Sequence, residues 1–343
     1  MVGFKDGPDT ALARQLHERG LVDANTLRLC LDEVRRRRAE GAPAALAGLL
    51  VQRRLVGLED LLALTQRQGS DPTQQPLPAR FGPYERVRPL GQGGMGAVFE
   101  VRHSLSGETF ALKTLTQAAL LSDGSEERLR FQREAELAVR LEHPNVVRVA
   151  DYDLGGSIPW LVQELLPGGS LQERLRHGPL PPGEVVELGL VLADALAHAH
   201  VQGVIHRDIK PDNVLFDAEG TPKLTDFGLA LGVDGSSLTQ SGMALGTPGY
   251  MAPEQVTGLH AHGPATDVYG LGALLYACLS GEPPFQGPLY QVLEAIVETP
   301  PAPPSAPPAL SRFVLQCLAK DPGERPRDAE TVLAELSRLG EGP

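Results

Sequence analysis

The sequence predicts an α+β protein: a small all-α unit, then a β-rich segment, then a long helical one. Three observations carry this. Residues 10–68 repeat apolar side chains at helical spacing and lack strand signals. Residues 84–165 set short β-branched runs between turns, as in RVRPLGQGG, AVFEVRH and TFALKTL. From residue 170 onward long helical patterns dominate. At 343 residues, with 42% apolar and 22% charged side chains, the chain can bury a large core without disulfide or metal staples.

The helical unit, residues 1–68, has apolar positions Leu12, Leu16, Leu27, Leu31 and Val34. It holds a weak internal repeat at an offset of 34 residues. Leu12-Ala13 matches Leu46-Ala47, Leu16 matches Leu50, Leu21-Val22 matches Leu55-Val56, and Leu27 matches Leu61. Two similar helical hairpins packed together would explain it. The basic run Arg35–Arg38 reads as a solvated helix face. Residues 69–83 open with GSDPTQQPLPAR, polar and with three prolines, and read as a linker.

In the β-rich segment, 84–165, Gly91, Gly93 and Gly96 fall in GQGGMGAV, where glycines let a backbone approach a phosphate closely. A dinucleotide-binding turn would need a helix next. Ala97–His103 reads as a strand instead, so a strand–loop–strand lid fits better. Lys113 ends the alternating run FALK, within reach of a phosphate under that lid. A lysine so placed needs a carboxylate to hold it. Glu134 supplies one from the amphipathic helix predicted near 125–141, on the face of Phe131 and Ala138.

The strongest signal is VIHRDIKPDNVL, residues 204–215, followed thirteen residues after Asn213 by Asp226-Phe227-Gly228. Two aspartates and an asparagine can supply one base and two ligands for Mg²⁺, which prefers hard oxygen donors. Aspartates that merely cap turns would not explain these residue types appearing together in this order.

Residues 84 to 338 resemble a protein kinase, specifically the eukaryotic-like Ser/Thr kinases of bacteria. The resemblance implies a two-lobed fold, with a small lobe at 84–165 and a helical lobe at 166–338. It implies ATP and Mg²⁺ as cofactors and protein serines or threonines as acceptors. By the same resemblance Leu90, Val98, Ala111 and Leu215 would enclose adenine under the glycine lid. Gln163 would be the gatekeeper, and backbone groups of Glu164 and Leu166 would bind the adenine edge. Lys113 would contact the α- and β-phosphates and pair with Glu134. Asp208 would accept the substrate proton, Lys210 would sit near the γ-phosphate, and Asn213 and Asp226 would hold Mg²⁺.

The stretch GTPGYMAPE, 246–254, matches the end of a Ser/Thr activation segment, where Thr247 would frame the acceptor. Glu254 would pair with Arg325, and Asp267 would anchor the catalytic loop. Arg207 would receive a phosphate on the activation segment, with Thr239 and Ser241 as acceptors. Asp212 stands where relatives often have Glu, and Gly270 where Ser is common. Neither change removes a group that phosphoryl transfer needs. A pseudokinase scaffold, or an adaptor acting through residues 1–68, is the competing reading. Loss of Lys113, Asp208 or Asp226 would have favoured the scaffold, and all three are present.

The N-terminal region is similar to the helical repeat ahead of type II secretion ATPases, some of which bind cyclic di-GMP. Ala11-Leu12-Ala13 and Ala45-Leu46-Ala47 replace the ligand-contacting Arg-Leu-Gly start. It therefore reads as a protein-docking or autoregulatory module, open to a protein partner or to self-association, rather than as a nucleotide-binding one.

Charge and cysteine usage narrow the setting. The formal net charge is −12. The first 80 residues carry 12 basic and 10 acidic groups and the remainder 19 and 33. A body that acidic repels nucleic-acid phosphates. Cys30, Cys278 and Cys317 are too few and too scattered for a disulfide framework, and read as buried thiols of a cytoplasmic protein. The apolar stretch Val268–Gly281 is too short to span a membrane and reads as a core helix. The proline-rich stretch 300–308 reads as a stiff connector between helices.

Overall fold

A computed structural model describes residues 8–39, 46, 49–50, 53, 55–56, 77–92, 96–115, 125–156, 158–227, 248–258 and 262–340. Gly93, Thr239, Ser241 and Thr247 lie outside them, as does the side chain of Glu134.

The N-terminal unit begins with helices α1 (Pro8–Glu18) and α2 (Ala24–Ala39). Their inward side chains Leu16, Leu27, Leu31 and Val34 share a core with Leu46, Leu49, Leu50 and Val56. The 34-residue offset is present in the backbone. Leu21 N–H donates to Leu16 O and Leu55 N–H to Leu50 O, while Arg19 bonds Gln15 and Arg53 bonds Leu49 in the same way. Val22 and Val56 then turn inward together. Within the basic run, Arg35 pairs with Asp32 and Arg37 with Glu33. Glu33 also meets Arg53, which ties the first repeat to the second.

The β-rich lobe is one antiparallel sheet in the order β1-β2-β3-β4-β6-β5. Its strands are β1 (Arg80–Phe81), β2 (Tyr84–Gln92), β3 (Gly96–His103), β4 (Thr109–Leu115), β5 (Val149–Asp153) and β6 (Trp160–Glu164). The sheet therefore starts inside the stretch expected to be linker. Strand β1 pairs with Tyr84 and Glu85, and Leu77 packs on the sheet. Two-residue pairing leaves no alternating pattern in the sequence, so only the register with β2 reveals it. Helix α3 (Ser125–Ala138) packs Phe131 and Ala135 against Leu115 and Leu161. Its Arg128 and Gln132 donate to the Leu154 carbonyl.

The helical lobe contains α4 (Leu171–Leu175), α5 (Pro182–Val201), α6 (Pro253–Thr257), α7 (Pro264–Ser280), α8 (Leu289–Glu298), α9 (Pro308–Cys317) and α10 (Ala329–Gly340). A hairpin of β7 (Val214–Phe216) and β8 (Pro222–Leu224) lies at its edge. Helix α7 is buried on every side, which is why its sequence shows no polar face. Residues 299–307 connect α8 to α9 without regular structure, as the prolines demand. All three cysteines are free and buried, and burial pushes the Cys278 and Cys317 thiols up to about 12. Among the described residues no helix is long and apolar enough to cross a membrane.

Candidate active site

The site is built on strands and tight turns rather than on helices. On β4, Ala111 and Lys113 alternate with Phe110 and Leu112, so the strand's pleat puts the lysine on one face and core residues on the other. Val98 of β3 pairs directly with Lys113. Gly96 opens β3 under a steric constraint, because a Cβ there would lie 2.8 Å from the Thr114 carbonyl oxygen. Leu90 is 39% exposed, an apolar side chain at the rim of the sheet.

Between the lobes, Gln163 is buried on β6 and pairs with Ala111 and Val149. Glu164 receives the Lys223 ammonium on both carboxylate oxygens, at 2.9 and 2.8 Å, and the Arg148 N–H at 2.7 Å. Its side chain thus links β6 to β8. Leu166 is half-buried just beyond. Leu215 of β7 bridges to Ser170, and Gly168 donates to Phe216 O. The strand is thereby laid along the segment that follows β6.

The loop 204–213 holds the acid. Lys210 Nζ lies 2.6 Å from Asp208 Oδ2. Asn213 Nδ2 donates to Asp208 Oδ2 at 3.0 Å and to its carbonyl at 2.8 Å. The Asn213 carbonyl accepts the Thr225 N–H, which brings the loop beside Asp226. Lys113 Nζ reaches across to Asp226 Oδ1 at 3.0 Å. Burial would raise the Asp226 carboxyl, but the Lys113 ammonium bonded to it, helped by Lys210, holds it below the usual carboxylate range. Asp208, Lys210, Asn213, Asp226 and Lys113 therefore form one connected group. Glu134 lies on α3, with Lys113 on a neighbouring strand, and its expected ion pair falls outside the described residues.

The backbone is strained at this site. Arg207 has φ 67° and Asp226 φ 63°, the only positive values at non-glycine residues among those described. Asp267 of α7 holds the first of them. It accepts the N–H of His206 at 2.8 Å and of Arg207 at 2.7 Å, and the ring of His200 Nε2 lies 2.9 Å from it. His206 is fully buried, with Nδ1 accepting the Asp208 N–H, Nε2 donating to Thr225 O, and the ring against Phe227. Sequence reasoning did not single out His200 or His206. His206 sits inside the strongest motif and was legible there. His200 lies in an Ala-His repeat on a buried helix, which gives no such signal.

Below the loop, Arg325 and Glu254 form a two-pronged pair at 2.8 Å with both side chains essentially inaccessible. Burial opposes the Glu254 charge, and Arg325 holds it below the usual range. Arg207 Nε is buried and has no hydrogen-bond partner among the described residues.

Residues 84–335 match the family model described as protein kinase domain. The chain is 40% identical over 256 residues to serine/threonine-protein kinase PknD of Mycobacterium tuberculosis, covering 72% of this chain and 38% of that one. It is 40% identical over 276 residues to serine/threonine-protein kinase PkaA of Streptomyces coelicolor, covering 76% and 50%. Over 270 residues it is 40% identical to serine/threonine-protein kinase pkn2 of Myxococcus xanthus, covering 75% and 32%. The chain thus spans a third to a half of these relatives' length. The matched span takes in most of both lobes and every group gathered around Asp208, and on that ground the chain belongs to the protein kinase family.

Proposed function

We propose that the chain is an ATP- and Mg²⁺-dependent Ser/Thr protein kinase that also phosphorylates its own activation segment. The observation that carries this is the connected group of Asp208, Lys210, Asn213, Lys113 and Asp226. In the reaction, the acceptor hydroxyl gives its proton to the Asp208 carboxylate. Its oxygen bonds the γ-phosphorus as the bond from that phosphorus to the β-phosphate oxygen breaks. Lys210, already on Asp208, orients the carboxylate and offsets charge on the transferred group. Thr247 frames the acceptor.

The donor set fits Mg²⁺. Asn213 and Asp226 offer hard oxygens, and two protein ligands suit a cation that completes its shell with phosphates and water. The bound ion supplies neutralisation of the phosphate charge. Lys113, paired now with Asp226, supplies the α/β-phosphate contact and pairs with Glu134. Gly91, Gly93 and Gly96 cover the phosphates. Leu90, Val98, Ala111 and Leu215 enclose the adenine, whose edge meets backbone groups of Glu164 and Leu166, with Gln163 at the back. The exposure of Leu90 fits a surface that adenine would cover.

Phosphates on Thr239 and Ser241 would order the activation segment through Arg207, whose buried Nε lacks a partner among the described residues. Residues 1–68 serve as a module for a protein partner or for self-association. The three free thiols fit a reducing, intracellular setting.

The test is phosphopeptide mass analysis after incubation with Mg·ATP, beside Asp208→Asn. Wild type should gain phosphate at Thr239 or Ser241. Asp208→Asn should bind nucleotide yet transfer about 10²- to 10⁴-fold more slowly. Phosphatase-treated wild type that binds Mg·ATP and gains no phosphate would overturn self-phosphorylation and favour a scaffold or a kinase awaiting an activator.

A further inference from the structure

The sheet of the small lobe has two faces. One carries Val98, Ala111 and Lys113, toward the proposed nucleotide. The other carries Phe99, Val101 and Leu112, which with Tyr84, Trp160 and Val162 form an apolar core. Part of the cover over that second face comes from outside the matched span 84–335. Phe81 belongs to the core and Leu77 packs against it.

The covering segment is held by more than apolar contact. Arg86 on β2 donates its backbone N–H to Ala79 O at 3.0 Å. Its guanidinium donates to Leu77 O at 3.2 Å and stands 5.0 Å from the centre of the Phe99 ring. Gly82 makes the turn from β1 to β2 at φ 54°, and a Cβ there would lie 3.2 Å from the Trp160 ring. The segment is therefore fitted to the sheet, with a turn, two bonds to one arginine and a buried aromatic.

We infer that residues 77–81 are a strap that positions the nucleotide-facing strands from behind, with Leu77 and Arg86 as positioning residues for ATP. Strands β2 and β3 carry Leu90, Gly91, Gly96 and Val98 toward the glycine-rich turn between them, and Phe99 and Val101 of β3 share the core that the strap covers. Loosening the strap lets these strands shift relative to β4 and Lys113. The effect falls on nucleotide binding and leaves Asp208 and its loop untouched, since that loop belongs to the other lobe. This rests on the kinase reading for its choice of ligand.

The test uses the full chain with Leu77→Ala, Arg86→Met and Leu77→Met, well below the melting temperature. Affinity for Mg·ADP is read by calorimetry, and KM for ATP and kcat by peptide phosphorylation. Leu77→Ala and Arg86→Met should each weaken Mg·ADP and raise KM for ATP by about tenfold, with kcat within about twofold. Leu77→Met, which keeps the apolar contact, should restore both. Unchanged affinity in both variants overturns the inference. So does a lowered melting temperature with unchanged affinity, because the strap is then packing only. Calorimetry reads the strap without turnover, so a wild type that binds Mg·ADP and transfers nothing would fail the kinase reading alone.

Discussion

At the scale of single residues, the site depends on carboxylates whose charges are fixed by specific cations. Glu254 and Arg325 show the energetic side of this. Their side chains are 1% and 0% exposed, and Arg325 also donates to the carbonyls of Ala265, Ala319 and Lys320. Neither charge can be solvated if its partner is removed. Arg325→Met or Glu254→Gln alone should cost about 3–5 kcal/mol of stability by denaturant unfolding. The double variant, which buries no uncompensated charge, should cost clearly less than the two single losses added. Simple additivity would show that the charges are not coupled. This pair was legible in the sequence because both residues sit in recognisable motifs. His200 was not. Its partner Asp267 is 67 positions away, and only the packing of α5 on α7 brings them together. The same holds for Glu164, a hinge residue by position, whose side chain turns out to tie β6 to β8.

At the scale of elements, what the sequence revealed was governed by periodicity. Strands β3 and β4 alternate and were readable, and α7 was readable as a buried helix. Strand β1 was not, because two residues after a proline-rich stretch carry no period. Helix ends are equally silent in the sequence, and α8 illustrates one. Two carbonyls of its last turn, Ala295 O and Ile296 O, accept Lys320 Nζ, which also lies over the Phe285 ring. Burial, with Arg325 nearby, lowers the Lys320 ammonium from 10.5 to about 8. The sign follows from the protons bound. Below pH 8 the lysine is charged in both states, and the folded state carries the cost of burying it. Between about 8 and 10.5 the unfolded chain keeps a proton that the folded chain has released, so this group raises stability as pH rises. Lys320→Met should remove that increment. The difference in melting temperature between wild type and Lys320→Met should widen in favour of wild type from pH 8 to pH 10. A constant difference would mean that the lysine does not titrate in this window.

At the scale of the whole molecule, the N-terminal unit has a core of its own. Its eleven buried residues, from Ala13 to Val56, share no member with the clusters of either lobe among the described residues. A unit of about 60 residues buries a smaller fraction of its surface than a catalytic domain of some 250, so it should be the less stable of the two. Chains built from separate cores do not unfold as one two-state system. Calorimetry on the full chain should therefore show two transitions, with the smaller at lower temperature. Leu50 is fully buried where the second repeat packs on α1 and α2. Leu50→Asp places a charge there and should abolish the smaller transition, while the larger moves by less than about 2 °C. A single transition shifted as a whole by Leu50→Asp would mean that the unit and the catalytic lobes share their stability. A partner bound to residues 1–68 could then act on the lobes directly. With two transitions, the unit and the lobes are not stabilised as one body, and the strap at 77–81 lies on the chain that joins them.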